Sequence, residues 1–437
     1  LVPVNFDLFS PDTVLRKARS LLRKLWVRVL AMGLLAFVVL GLTQVIEAYV
    51  PKETGAQLTG AAADRLLQLI ATAMLAVTTF SLTVMVSVYR ASSNQFTPRV
   101  HRLIMQDPVT QNTLASFIGA YVYALLAIVM RELGIYVDDR ALVLFVMTVL
   151  VLAFIVYNLI RWVLHLQTFG SLLDTTRQVE EITRQQFLER LDTPCLGAVP
   201  WTGPVPDDAS DPLRAWESGY VQHIYPEALN AAAERHGVEL FIASAIGSFV
   251  HLNQPLVMLR RKAEAQEDCT EETLMEALRE TIILGDVRTY DQDPRLGLLV
   301  LGEIGSKALS PGINDPGTAI DVVTRITRVL SAYRDETAGE SGPKYKNLHV
   351  RPLDPDDLME DAFAALVRDG AGIIEVQQRV QGSLDALAQH PDKGLCKAAR
   401  RRAALSYARA AQTLTADDDL KRLRASTPNA VITQAES

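Results

Sequence analysis

Residues Leu66–Val100 read LLQLIATAMLAVTTFSLTVMVSVYRASSNQFTPRV. From Leu66 to Tyr89 there are 24 residues without Asp, Glu, Lys, Arg or His. At about 1.5 Å of rise per helical residue, such a run crosses a hydrocarbon core of about 30 Å. The polar sequence that follows, Ser92 to Val100, marks where the chain leaves that core. Three further uncharged runs, Val29–Ile46, Leu114–Met130 and Ala141–Ile160, bring the expected number of spans to four. Buried helices of a soluble core explain one such run easily and four in succession poorly.

Charge divides the chain in the same place. Residues 1–165 carry a formal +5 and the remainder −12, within a total of −7. A basic membrane-facing part is therefore joined to an acidic aqueous part, which gives no support for a nucleic-acid binder. Arg16, Lys17, Arg19, Arg23 and Lys24 precede the first span, and Arg90, Arg99 and Arg102 follow the second. By the Lys/Arg distribution rule both termini are expected on the cytoplasmic side of a bacterial inner membrane, with the bilayer as first partner. Cys195, Cys269 and Cys396 are too widely spaced for a CxxC motif and read as ordinary reduced cysteines.

Within the second span, Thr72, Thr79, Thr83 and Ser87 fall within about 80° of one another at 100° per residue, and Arg90 continues their face. Such a face either lines a wet path, with Arg90 favouring anions at its mouth, or bonds into helix backbone and neighbouring helices. Ser93, Asn94, Gln95, Phe96, Pro98 and Arg99 form an elbow. Pro98 lacks an amide donor and restricts Thr97, so the helix cannot run on unbroken. The elbow either simply turns the chain or acts as a mouth constriction or contact for the aqueous part. In the third span Ser116 and Ala120 have small-xxx-small spacing. In the fourth, Asn158, Arg161 and His165 share a face, where His165 serves as a hydrogen-bonding group or a proton switch.

The expected fold is an α-helical polytopic membrane domain with four spans, followed by a mixed α/β cytosolic domain containing a small β-rich module. The boundaries run as a basic juxtamembrane segment (1–24), the four spans (25–165), a connecting helix (166–193), a linker (194–212), the β-containing module (213–262), a mainly helical region (263–423) and a polar tail (424–437). Strands are expected at Gly219–Ile224 and Val238–Ala245, with compact β structure over Gly247–Leu259 and an amphipathic helix over Glu271–Leu284.

Ser310, Pro311, Gly312, Asn314, Asp315 and Pro316 crowd structural punctuation into one loop ahead of a helix beginning near Thr318. A firm turn or hinge explains most of it; a regulatory ligand or partner contact is the sharper reading. Asp291, Asp293, Glu303 and Asp315 have the hardness to recruit a cation, with Asn314 and Thr318 as orienting groups. No EF-hand spacing, HExxH pair, phosphate-binding loop or dinucleotide signature occurs, so no cofactor, metal site or catalytic residue is assigned.

Taken together, Ser93–Arg99, Ser218–Gln222, Gly247–Val250, Arg288-Thr289 with Gln292-Asp293, and Ala308–Pro316 resemble a bacterial family of predicted integral membrane proteins, domain-of-unknown-function family 2254. The resemblance covers most of residues 20–385. It implies an N-terminal four-helix membrane part and a cytosolic C-terminal part, with no substrate or reaction to carry over. The leading expectation from the residues is a homo-oligomeric, channel-like protein with a regulatory cytosolic domain open to a protein or small-ligand regulator. The alternative is a non-channel scaffold or signalling protein whose cytosolic domain binds a partner.

Overall fold

The computed structural model describes residues 25–49, 60–134, 141–209, 211–262, 271–337 and 342–436. The basic leader, the connection around Lys52 and Glu53, the Asp138–Arg140 loop and Cys269 lie outside these residues. The chain divides into two compact units at Thr175/Thr176.

In the first unit, α1 (Leu25–Tyr49), α2 (Gly60–Gln95), α4 (Pro108–Glu132) and α5 (Ala141–Leu166) are each long and apolar enough to cross a membrane. The short helix α3 (Pro98–Met105) stands between α2 and α4. The four expected spans are all present. Helix α4 is the most enclosed of them and packs against α1, α2 and α5. Its composition allows this. Ala115, Ala120, Ala124 and Ala127 are buried, and a Cβ on Gly119 would stand 2.7 Å from Met32 Cβ. Small residues thus let α1 and α4 approach closely, which is how helices associate where lipid tails compete for every apolar contact. Leu34, Phe37, Leu69, Phe80, Leu150 and Ile160 point outward, as a lipid-facing surface requires.

Helix α6 (Leu172–Asp192) crosses the division, and in the second unit it and a 3-10 turn lead into two sheets. The larger has the order β1 (Ala198–Pro200), β8 (Tyr345–Val350), β4 (Val238–Ile242), β6 (Pro255–Arg261), β2 (Asp211–Arg214). Strand β8 pairs in parallel with β1 and β4, whereas β4/β6 and β6/β2 are antiparallel. The smaller sheet is antiparallel, in the order β5 (Phe249–Val250), β3 (Gly219–Ile224), β7 (Ile282–Gly285). Val221, Ile224, Leu240, Val257, Leu274, Leu278 and Leu348 share one core, to which α7 (Pro226–Arg235) and α8 (Glu271–Thr281) contribute. The rest is helical: α9 (Pro294–Ala308), α10 (Pro316–Leu330), α11 (Pro355–Asp369), α12 (Ile374–Leu387), α13 (Lys393–Thr413), α14 (Asp417–Ala425) and α15 (Asn429–Glu436).

Three expectations change. The helix over Glu271–Leu284 stops at Thr281, because β-branched Ile282 and Ile283 continue as β7 against β3. The sheets draw strands from outside 213–262: β1 lies within the linker, and β8 within the region 263–423 expected to be mainly helical. The polar tail is helical, since Val431 and Ile432 of α15 are buried.

Backbone proximity in the helical half gives a direct test. A Cβ on Gly302 of α9 would lie 2.6 Å from the Ala362 carbonyl oxygen of α11, whereas one on Gly312 meets nothing within 4 Å. Gly302→Ala is expected to destabilise the protein by about 2 kcal/mol and Gly312→Ala by about 0.5 kcal/mol or less. Thermal unfolding of the purified full chain reads both.

Candidate functional site

The hydroxyl face of α2 lies on the outside of its unit. Thr72, Thr79, Thr83, Ser87 and Arg90 are all exposed, while Ala63, Leu67, Ile70, Met74, Thr78 and Ser81 turn about half a helical turn away into the core. Among the described residues the face therefore encloses no path within the one chain. Thr72 donates to Gln68 O at 2.9 Å, Thr79 to Ala76 O at 2.9 Å and Thr83 to Thr79 O at 2.9 Å. Thr78 Oγ1 and Ser81 Oγ, by contrast, are buried without a hydrogen-bond partner among the described residues.

The elbow is an interrupted helix. Helix α2 runs through Ser93, Asn94 and Gln95, Phe96 is buried, and Pro98 opens α3 at a position where its missing amide costs nothing. Ser93 Oγ donates to Arg90 O at 2.9 Å. Arg99 is exposed, and Val100 and Ile104 anchor α3 on the unit.

Around this elbow the unit gathers a polar knot. Asp107 caps α4: its Oδ2 accepts from Thr110 N at 2.7 Å and from Thr110 Oγ1 at 2.6 Å. The same oxygen stands 2.9 Å from His165 Nε2 at the end of α5. His165 packs on Phe169, with ring centroids 5.1 Å apart, and on Trp162 at 5.9 Å. Ser92 Oγ is 2.8 Å from His101 Nδ1, and Tyr89 meets the His101 ring edge-on. Arg28 of α1 reaches Asn112 Oδ1 at 2.8 Å and Pro108 O at 3.1 Å. One end of α1, α4 and α5 is thus tied by side-chain hydrogen bonds, α2 is bonded there to α3, and His165 serves as a hydrogen-bonding group within the tie. Sequence reasoning passed over Asp107. Its signal was the run Asp107-Pro108-Val109-Thr110, a helix-start pattern.

The loop Ser310–Pro316 repeats that pattern. Asp315 caps α10, accepting from Thr318 N at 3.1 Å and Thr318 Oγ1 at 2.5 Å, and Asp315 N donates to Ala308 O at 2.8 Å. The Thr318 hydrogen bonds hold the Asp315 carboxyl below the usual carboxylate range. Pro311, Gly312 and Asn314 are exposed, and Asn314 has a left-handed φ of 51°. Asp293 is likewise committed. It caps α9 through Leu296 N at 3.0 Å and pairs with Arg288 at 2.7 and 3.0 Å. Among the described residues no three His, Cys, Asp or Glu side chains gather closely enough to hold a metal ion, so the Asp291, Asp293, Glu303 and Asp315 set does not converge.

Two other distinctive segments, Ser218–Gln222 and Gly247–Val250, come together around that ion pair. Gly247 has φ 83°, and a Cβ there would fall 2.2 Å from Asp293 Oδ2. Gln292 accepts from Ile224 N at 2.9 Å and donates to Ile224 O at 3.0 Å, while Gln222 donates to Val287 O at 2.7 Å. They form a structural joint between the smaller sheet and α9. Beside it opens a cleft of about 590 Å3, lined among others by Arg190, Trp201, Arg295, Tyr333 and Arg351. Arg190 is committed to buried Glu336 at 2.6 Å and Arg295 to Asp361 at 2.6 Å. Burial pushes the Cys195 thiol, next to this core, up to about 12, so it is no nucleophile at neutral pH.

Two outcomes follow. Asp315→Ala is expected to cost about 1 kcal/mol at pH 7. Because the folded carboxyl sits below its ordinary value, that contribution is fully present above the ordinary carboxylate pKa and disappears as pH falls through the lowered one. Urea titrations of wild type and variant, converging in acid, check it. At the knot, a double-mutant cycle of Asp107→Asn and His165→Gln is expected to return a coupling of about 1 kcal/mol in thermal unfolding; additive effects would mean that the two groups do not interact.

No solved structure matches the chain. The chain is similar to uncharacterized proteins of Mycobacterium bovis and Mycobacterium tuberculosis, each 27% identical over 256 residues. That match covers 58% of this chain and 48% of each relative, so the chain spans about half the length of the relatives it matches. The family described as predicted membrane protein (DUF2254) matches residues 22–386. With its four apolar helices and the joint at Asp293 inside that range, the chain belongs to the DUF2254 family of membrane proteins.

Proposed function

We propose that this protein is an oligomeric, channel-like membrane protein whose conduit forms between subunits, along the outward hydroxyl face of α2. The single observation that carries the reading is the placement of Thr72, Thr79, Thr83, Ser87 and Arg90 on one exposed face, opposite the face that packs the unit's own core. Packing inside the subunit therefore does not account for the stripe, and a seam between copies does. Arg90 at the end of the face favours anions. The Lys/Arg pattern puts both termini on the cytoplasmic side of a bacterial inner membrane, with the second unit as a cytosolic regulatory domain.

A second reading has its own observation. Thr72, Thr79 and Thr83 already donate to their own helix, so the face also seals against a neighbouring helix without water, as in a non-channel scaffold.

Accessibility separates the two. In a background with Cys195, Cys269 and Cys396 replaced by Ser, Thr79→Cys and Thr83→Cys are expected to react with a membrane-impermeant thiol reagent in proteoliposomes, and Phe80→Cys is not. The same vesicles are expected to pass anions, with the flux lost on modification. Unreactive cysteines and no flux, with insertion verified, would sink the conduit and leave the scaffold.

A further inference from the structure

The cleft of about 590 Å3 in the second unit lies where three parallel strands end. Strands β1, β8 and β4 run in the same direction, and the cleft is lined by residues that follow them: Trp201 after β1, Ile246 after β4 and Arg351 after β8. Chain leaving such strand ends in different directions opens a crevice, and in open sheets that crevice is where ligands bind. One wall is a buried ion pair. The Glu336 side chain is 0% exposed and that of Arg190 8%. Glu336 accepts from Arg190 Nε at 2.6 Å and Nη2 at 3.3 Å and from the amides of Cys195 and Leu353, and Nη2 also donates to Arg351 O at 3.1 Å. Arg190 Nη1 makes no hydrogen bond among the described residues, yet it is not sealed: it keeps accessible surface, and Arg190 lines the cleft. A guanidinium nitrogen with its two donors open at a cleft calls for an acceptor from outside the chain.

Arg351 adds a second cation. Its guanidinium lies 4.4 Å from the Trp201 ring, donates to Gly203 O at 3.3 Å and forms no ion pair among the described residues. The remaining charge is carboxylate. Asp354 and Asp392 each spend Oδ1 on a helix cap, on Asp356 N at 2.8 Å and Leu395 N at 2.7 Å, and Oδ2 of each accepts nothing among the described residues. Asp335, which also lines the cleft, bonds to Thr337 alone. All three stand close to Tyr333: burial first, and then the charges of Asp392, Asp335, Glu336 and Asp354, push its hydroxyl above the ordinary value. The two sets of charge narrow the ligand. Among the described residues no three acidic, His or Cys side chains gather closely enough for a metal ion. A polyamine has no acceptor for Arg190 Nη1, and a phosphate meets carboxylates that repel it. A ligand of mixed charge satisfies both sets.

The geometry points to a basic α-amino acid as the occupant of this cleft, with its carboxylate on Arg190 Nη1 and Arg351 and its two cationic groups among Asp335, Asp354 and Asp392. The aliphatic stem of such a ligand meets Ile246, Val350 and Leu353, which also line the space. The volume falls in the range of small-molecule sites and leaves room for bridging water. The site stands independently of the conduit.

Titration calorimetry on the purified full chain in detergent tests it. The probes are L-arginine and L-lysine; agmatine and cadaverine, which keep a cation at each end and lack the carboxylate; and L-citrulline, which lacks the side-chain charge. At least one of the two amino acids is expected to bind once per chain, with its decarboxylated counterpart and L-citrulline each at least about tenfold weaker. Arg190→Lys keeps a cation beside Glu336 and withdraws Nη1. It is expected to weaken the amino acid at least about tenfold and leave the decarboxylated amine unchanged. Arg351→Gln, at an exposed position, is expected to act in the same direction. Asp392→Asn keeps a capping oxygen and is expected to weaken amino acid and amine alike. Should Arg190→Lys fail to fold, Arg351→Gln and Asp392→Asn carry the same contrast. Absence of binding, amino acids that bind no tighter than their amines or L-citrulline, or binding unaltered by any one of the folded variants would overturn the proposal and mean that water meets Nη1.

Discussion

A helix in hydrocarbon must satisfy its backbone polar groups from within, so a membrane-spanning chain can break only where something else takes the freed donors. In this protein the break between the second and third spans falls at Pro98 and again at Pro108, each at the first position of a helix. At the second break Asp107 takes the amide of Thr110. Its carboxylate then has capacity left for His165, and that spare capacity joins the start of one span to the end of another. Close approach of α1 and α4 at Gly119 draws the bundle together along its length, and the knot at Asp107 fixes one end.

The same device recurs in the aqueous unit. Asp107-Pro108, Asp293-Pro294, Asp315-Pro316 and Asp354-Pro355 each begin a helix with a carboxylate cap and a proline that surrenders an unneeded amide. Two of them go further: Thr110 and Thr318, three residues after the Asp, also donate their hydroxyls to it. This recurrence bears on how acidic loops are read. Asp293 and Asp315 looked like candidate cation ligands when taken as isolated carboxylates, yet each is consumed by the helix that it starts. What distinguishes this loop is therefore the exposed run Pro311–Asn314 ahead of the cap.

Legibility from sequence followed the range of the interactions. The four spans were readable because an uncharged run of sufficient length is a local property. The angular grouping of Thr72, Thr79, Thr83 and Ser87 was readable for the same reason, but the direction in which the face points was not, since that depends on which side of α2 meets α4 and α5. Strand β8 escaped because it lies in a Gly- and charge-rich insertion and pairs in parallel with β4, about a hundred residues earlier, with no turn signal to announce it. The tail escaped because Val431 and Ile432 are a short apolar pair whose burial is supplied by α13. Arg190 carried no sequence signal at all: an arginine on a charged helix is ordinary, and only the open Nη1 beside the cleft sets it apart.

Hydrogen bonding alone does not decide what covers the outer face of α2. A Thr hydroxyl that donates to the carbonyl four residues back is tolerated in lipid, so the three bonded threonines are compatible with any neighbour. The unpartnered hydroxyls of Thr78 and Ser81 sit on the inner face, where the bundle and not a second copy surrounds them. The weight falls instead on distribution and charge. Thr, Thr, Thr and Ser gathered on one side of a single span, ending in an exposed arginine, would waste apolar contact with lipid over most of the helix, while the other exposed residues of the bundle are largely Leu, Ile, Val and Phe. A surface that departs from its surroundings in this way gains by meeting something other than lipid. Because a guanidinium is costly to bury in hydrocarbon, the most favourable arrangement places the polar end of that face against water or an anion and leaves the threonine methyls to pack a neighbouring helix.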